Sequence, residues 1–261
     1  MDRVVVVLVE PQHPGNVGAT ARAMKNFGLS RLTIVNPPAF DPERARWMAP
    51  GCADILDSMQ IVATLDDALQ GVHRALGTTA RHRRDGHPVL EPSEAAQVIL
   101  DDEDRTYAIL FGREDLGLDN ASTRRCEALI RIPTTEHASL NLAQAAVVLS
   151  HALFEARRHR GASATGRTLG GSRPTTTSTA ERASPRDRLA DLSAVRPAAT
   201  EIVELLGRVG YLRGTPAHKV QLTAEQALVR GRLSVRHVEA LRGMVHRIEW
   251  ALDHPDAMDD D

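Results

Sequence analysis

Cysteine is nearly absent from this 261-residue chain: Cys52 and Cys126 are the only two, far apart and outside any CxxC pair. That excludes a disulfide framework and a cysteine-based zinc site, and both residues are expected as ordinary buried thiols. Aromatic residues make up 3% of the chain, so the core has to be built from Ala, Val, Leu and Ile. Lysine occurs only at Lys25 and Lys219, which removes a GxxxxGKS/T phosphate loop, and GxGxxG is missing too. No run approaches the roughly 18 apolar residues of a membrane span. Val4–Val9 is too short, and its flanks too charged, for a secretory signal. A cytoplasmic enzyme or binding protein without a membrane partner is the expectation. His151 and Glu155 share a helical face at i,i+4, but two groups do not make a metal site, so no metal is expected.

What is present is ordinary in bulk and uneven in detail. Hydrophobic residues at 42% and charged residues at 25% suit a soluble globular protein. The length allows one large α/β domain plus a smaller appendage. A net charge of −2 hides a basic stretch from Arg213 to Arg247, where seven Arg and Lys stand against Glu225 and Glu239, a surplus of five. Three histidines lie in it, and an acidic tail of Asp253, Asp256, Asp259, Asp260 and Asp261 follows. A basic helical region fits nucleic-acid contact; a solvated helix face fits equally well on charge alone.

Strand-like runs recur at Val4–Val9, Leu32–Val35, Arg74–Gly77, Tyr107–Phe111 and Ala128–Ile132. Helical stretches fall between and after them, near Gly18–Phe27, Asp66–Gln70, Ser93–Leu100 and Leu140–Arg158. Such alternation predicts a parallel sheet wrapped by helices. The last of these helices is apolar on most faces, which calls for burial in a core or a subunit interface. Gly161–Asp187 contains no aromatic and one large aliphatic, Leu169, and reads as a flexible linker. The expected organisation is a catalytic domain over 1–160, a linker over 161–187 and a helical appendage of about three helices over 188–261.

Sites in open parallel sheets form in loops at the carboxyl ends of strands. Those loops here are "PQHPGNVGATAR", "TTARHRRDG", "GREDLGL" and "PTTEHASLNLA". Pro11, Pro14, Gly15 and Gly18 are expected to break regular structure before the first helix, with Asn16 as a plausible N-cap. Gly112 and Gly117 permit close backbone approach. Each polar candidate also has a plain structural reading. Arg22, placed about one turn into the first helix, reads on its own more readily as a surface ion-pair partner than as a site residue. Glu114 reads as half of a local pair with Arg113. Ser139 reads as the N-cap of the helix it precedes, and Asn141 as a second cap. His13 and His137 lie near the loops without a spaced acid or metal partner.

Taken together the loops are more specific than singly. The set E-P-x-H-P-G-N-V-G-A-T-A-R, G-T-T-A-R, F-G-R-E-x-x-G-L and I-P-x-x-x-x-A-S-L-N-L-A resembles the SPOUT class of RNA 2′-O-methyltransferases, and within it the TrmJ family. The resemblance is strong from Val4 to about Arg158 and weaker beyond, where "GYL", Arg230 and "LRG" carry it. It implies an α/β, SPOUT-type parallel sheet with a C-terminal trefoil knot, a homodimer built on the first and last helices of that domain, and a small helical RNA-binding appendage. It implies S-adenosyl-L-methionine as methyl donor and tRNA as substrate, methylated on a ribose in the anticodon loop. Ribosomal RNA, or a non-catalytic RNA-binding role, are the alternatives. The residues it assigns to catalysis or substrate positioning are Asn16, Arg22, Glu114, Ser139 and Asn141. Those it assigns to the donor are Thr78, Thr79, Ala80, Gly112, Ile132, Ala138, Ser139 and Leu140.

Overall fold

The run Val4–Val9, strand β1, is almost wholly buried, as a strand must be when it has neighbours on both edges and helices on both faces. Six further strands join it: β2 (Arg31–Val35), β3 (Gln60–Val62), β4 (Arg74–Thr78), β5 (Val89–Leu90), β6 (Tyr107–Phe111) and β7 (Ala128–Ile130). They form one sheet in the order β3-β2-β1-β6-β4-β7-β5, and every pairing is parallel. Register places Val5 beside both Arg31 and Ala108, and Arg74 beside Tyr107. The five strands anticipated are therefore present with ends shifted by at most two residues, and two short edge strands, β3 and β5, are additional. The computed structural model describes residues 1–38, 40–81, 87–135, 139–165, 189–212, 216–231 and 233–254, and of 162–165, 222 and 230 the backbone alone.

Among the described residues, seven helices accompany the sheet: α1 (Pro14–Asn26), α2 (Pro42–Trp47), α3 (Ala53–Ser58), α4 (Leu65–Ala68), α5 (Pro92–Asp101), α6 (Asn120–Arg124) and α7 (Leu142–Thr165). Pro14 opens α1, where its missing N–H costs nothing and its fixed φ suits the helix. Gly15, Asn16 and Gly18 thus lie inside the helix, not in a turn ahead of it. Asn16 is not the N-cap; that position is His13, whose side chain makes no capping bond. Gly18 serves packing: a Cβ there would lie 2.0 Å from the Ala45 carbonyl oxygen, so α2 can close on α1 only over a glycine. Val17, Ala21 and Met24, spaced i, i+4, i+7, turn the helix onto the core. At the other end of the domain α7 continues to Thr165, so the first residues expected to open the linker are helical. Residues 166–187 of that linker lie outside the described residues. Both cysteines are buried thiols outside any disulfide.

The chain divides into two compact units, Met1–Thr179 and Ala180–Asp261. The second holds α8 (Leu192–Arg208), α9 (Ala217–Arg230) and α10 (Val235–Asp253). Asp191 caps α8 through the Ala194 N–H, and Ser234 with His237 caps α10. Its small core centres on Ala190, Ala198 and Val238, with Leu228, Leu233 and Val235 against it. Among the described residues no helix is long and apolar enough to cross a membrane.

Candidate active site

At the carboxyl ends of β4, β6 and β7 the chain opens into a cavity of about 390 Å³. Phe111, Leu118, Ile130 and Leu142 give it an apolar wall, and Thr78, Thr79, Ser139 and Glu114 supply polar groups. That mixture suits a small organic ligand with a few directed hydrogen bonds. Strand ends hold the walls in place. The Thr78 hydroxyl donates to the Leu110 carbonyl (3.0 Å), and the Thr79 N–H donates to the Ile130 carbonyl (2.9 Å). Gly112 allows the following loop to fold back on itself: a Cβ there would lie 2.1 Å from both the Gly117 carbonyl carbon and the Leu118 nitrogen. The Gly117 N–H donates to the Arg113 carbonyl (2.8 Å), closing that turn.

Glu114 ties this loop to the start of α1. Its carboxylate accepts from the Gln12 N–H (2.8 Å), the His13 N–H (3.3 Å) and the Asn16 amide nitrogen (2.7 Å). Burial pushes the carboxyl pKa up, but these hydrogen bonds outweigh it and hold the group below the ordinary carboxylate range. An ionised carboxylate only accepts, so Asn16 must present Nδ2 to it and Oδ1 away. Asn16 Oδ1 then accepts from Asn141 Nδ2 (3.1 Å), and Asn141 Oδ1 accepts in turn from the Ala143 N–H (2.9 Å). One carboxylate thereby fixes the orientation of two amides and links three segments distant in sequence. Asn141, not Ser139, receives the first N–H groups of α7.

Of the residues anticipated for the donor, Thr78, Thr79, Ala80, Gly112, Ile132, Ser139 and Leu140 all line the cavity. Ala138 lies outside the described residues, as do His137 and residues 82–86 of the TTARHRRDG loop. Glu114 lines the cavity too, while Asn16 and Asn141 buttress it through Glu114. Arg22 is not brought to the cavity of its own chain. It lies over two turns into α1, about 9 Å along the axis from Asn16. It is exposed and makes no ion pair or side-chain hydrogen bond with any described residue, so the anticipated surface pair is not found among them. Glu114 does not pair with Arg113 either. Arg113 is forked onto Asp115 (3.0 and 2.9 Å) and reaches Glu10 (3.5 Å). His151 rests edge-on against the Phe27 ring (5.4 Å between centroids), and Glu155 pairs with Arg158 and His159. No group of three His, Cys, Asp or Glu side chains that could hold a metal ion occurs among the described residues.

Sequence reasoning missed Arg81 and Glu10. Arg81 lines the cavity and donates to the Leu116 carbonyl (3.1 Å), joining the loops after β4 and β6. Its signal was its place directly after the Thr-Thr-Ala run. Glu10 adopts φ 50°, a left-handed conformation uncommon for a residue with a side chain. Its carboxylate meets both Arg113 and the Asn36 amide (3.3 Å), which no sequence spacing announces.

Comparison with known proteins places this site in a family. Residues 3–151 match the SpoU rRNA Methylase family. A tRNA (cytidine/uridine-2′-O-)-methyltransferase TrmJ of Yersinia enterocolitica is 32% identical over 257 residues, covering 98% of this chain and 95% of that protein. A tRNA (cytidine/uridine/adenosine-2′-O-)-methyltransferase TrmJ of Pseudomonas aeruginosa is 46% identical over 154 residues; that alignment spans 58% of this chain and 60% of the relative's length. Among solved structures, TrmJ from Z. mobilis ZM4 superposes with a TM-score of 0.75 at 26% identity, covering 94% of this chain and 98% of the other. The chain belongs to the SpoU methylase family.

Proposed function

We propose that this member of the SpoU methylase family transfers a methyl group to a ribose 2′-hydroxyl of tRNA, with S-adenosyl-L-methionine as donor. The observation that carries the reading is the cavity at the strand ends together with the Glu114–Asn16–Asn141 chain that braces it. The TrmJ relatives, one of them aligned along almost the whole chain, direct the choice of tRNA. An anticodon-loop nucleotide is the proposed target, and the cytoplasm the proposed location.

The residues present fit the donor. Thr78, Thr79, Ala80, Gly112, Ile132 and Leu140 would hold its adenosine, because their wall combines apolar surface with a few hydroxyl and backbone groups. Glu114 is a cavity-lining carboxylate with neutral hydrogen-bond donors as its partners, which favours a cationic ligand nearby. When bound, the donor supplies an electrophilic methyl group on a sulfonium. The protein's own task is to orient the hydroxyl for in-line attack and help it lose its proton. Glu114 is saturated with donors and held ionised, so it acts as a positioning residue and not as the proton acceptor. Ser139 offers its hydroxyl at the cavity wall. Arg22, an unpaired cation among the described residues, is assigned to the ribose hydroxyl or its phosphate.

Because Arg22 is remote from the cavity of its own chain, the reading includes a homodimer in which it serves the partner's cavity. Exposed Val147 and Phe154 on α7, with Phe27 of α1 against Phe154 (5.9 Å between centroids), offer an apolar face for that contact. The reading also includes a C-terminal knot. In its favour, the last strand β7 is inserted between β4 and β5, so the chain leaves toward α7 from inside the sheet.

The test is transfer of labelled methyl from S-adenosyl-L-methionine to unmodified tRNA transcripts and, separately, to ribosomal RNA. Label on tRNA in an alkali-resistant dinucleotide supports the reading. Label confined to ribosomal RNA replaces the substrate, and label on a base removes the chemistry.

A further inference from the structure

One face of α10 combines features that the folding of its own unit does not require. Arg236, Gly243, His246, Arg247 and Trp250 fall within an arc of roughly 100° at 100° per residue. Trp250 is 48% exposed in a chain with only two tryptophans. The imidazole of His254 is stacked on it, 4.8 Å between centroids and 16° from parallel. A contact of 2.9 Å between His254 Nδ1 and the Trp250 carbonyl holds that stack. Arg236 and Arg247 are exposed and have no ion-pair or side-chain hydrogen-bond partner among the described residues. Gly243 stands in the helix interior, where glycine destabilises relative to alanine. A Cβ added there would meet nothing within 4 Å, so packing does not demand the glycine. Glu239 lies within that arc and Asp253 borders it, and Asp253 is neutralised by Arg208 of α8. Arg208 also reaches Glu249 (3.8 Å).

We propose that this face of α10 binds unpaired nucleotides of RNA, with a base added to the Trp250–His254 stack and phosphates taken by Arg236 and Arg247. It rests on the reading that the chain acts on RNA. An aromatic ring already stacked on one side and open on the other is a preorganised platform for a flat base. Unpaired guanidiniums on the same face, Arg247 one turn from Trp250 and Arg236 about 21 Å away along the axis, supply positive charge for the phosphates of a strand, and the bare backbone at Gly243 lets the sugar-phosphate chain approach closely.

The test uses full-length protein carrying Trp47→Phe, so that Trp250 is the sole indole. Titration with an unmodified tRNA transcript, and with single-stranded oligoadenylate, is expected to quench its emission. Trp250→Ala should weaken RNA binding about tenfold, within the range for loss of one stacked base, and Trp250→Phe should recover most of it. Arg247→Ala should lower the salt slope of log affinity by about 0.7. Gly243→Leu should raise the thermal midpoint yet weaken RNA binding, which a purely structural role would not produce. Absence of quenching with unchanged affinity in Trp250→Ala would overturn the proposal. So would a smaller sedimenting species with unchanged RNA affinity, which would assign the face to a second copy. Quenching and weakened binding without methyl transfer by the unsubstituted protein would uphold this surface while the proposed reaction fails.

Discussion

The two ends of the sheet carry charge in opposite ways. At the amino ends of β4 and β6, the Arg74 side chain is only 3% exposed and meets Glu127 and Asp102. Asp102 is also approached by Arg105 (2.6 Å) and by the Tyr107 hydroxyl (3.0 Å), and burial drives the Tyr107 pKa upward. Charge there is matched by opposite charge. At the carboxyl ends, Glu114 is ionised but bonded to neutral N–H and amide groups, and it faces open space. Ion pairs neutralise one end for the sake of the fold. Neutral donors leave the other end with a directed, uncompensated carboxylate, which is what a binding site needs. Buried charge alone therefore does not mark function; the kind of partner does.

The largest expected effect breaks the amino end. Arg74→Met leaves Asp102 and Glu127 without their shared cation and should cost about 3 kcal/mol in chemical denaturation. Donor binding by the protein that remains folded should be unchanged, because the cavity lies at the far end of the strands. A loss of donor affinity without a loss of stability would reverse the assignment of the two ends.

Glu114→Gln sharpens the contrast. One acceptor oxygen must replace two that together receive three hydrogen bonds, so stability should fall by about 1–2 kcal/mol. Methyl transfer should fall roughly 10²-fold, because small misplacements of reacting groups are that costly. The pH dependence follows from the direction of the shift. A carboxyl held below its unfolded value stabilises the protein above the ordinary carboxylate range, and that contribution is lost as pH falls through the lowered value. The stability gap between Glu114→Gln and the unsubstituted protein should thus narrow on acidification. A gap that stays constant would mean the carboxylate charge contributes nothing.

Smaller still is the effect at Asn141, where capping and bracing separate. Asn141→Ala loses both roles and should cost about 1 kcal/mol. Asn141→Asp keeps the acceptor for the Ala143 N–H but sets a carboxylate against Asn16 Oδ1. It should keep the capping part of the stability and lose transfer, measured side by side in thermal melts and single-turnover assays. Equal activity in Asn141→Asp would reduce Asn141 to a cap.

Much of this was legible in the residues. Runs such as Val4–Val9 and Tyr107–Phe111 announce buried strands because continuous β-branched and apolar stretches have no other stable use at that length. The place of the cavity was legible for a related reason: Thr78 ends β4 and Gly112 follows β6, and strand ends are where parallel sheets open. Spacing misled where one residue type has two uses. Gly18 reads as a turn former but lies under Ala45, and Asn16 reads as a cap but reaches across to Glu114. Short β3 and β5 gave no periodic signal. The orientation of Asn141 depends on a carboxylate 27 positions away, a relation visible only once the loops meet.

Division of labour between the cavity and Arg22 is the most direct target for experiment. Donor affinity by calorimetry and single-turnover transfer to tRNA should be measured together for Arg22→Ala and Arg22→Lys. The account predicts donor affinity close to that of the unsubstituted protein in both, with transfer reduced about 10²-fold or more in Arg22→Ala. Lysine should rescue poorly, since it lacks the planar fork that holds a hydroxyl and a phosphate together. Near-normal transfer by Arg22→Ala, or a parallel loss of donor binding, would contradict it.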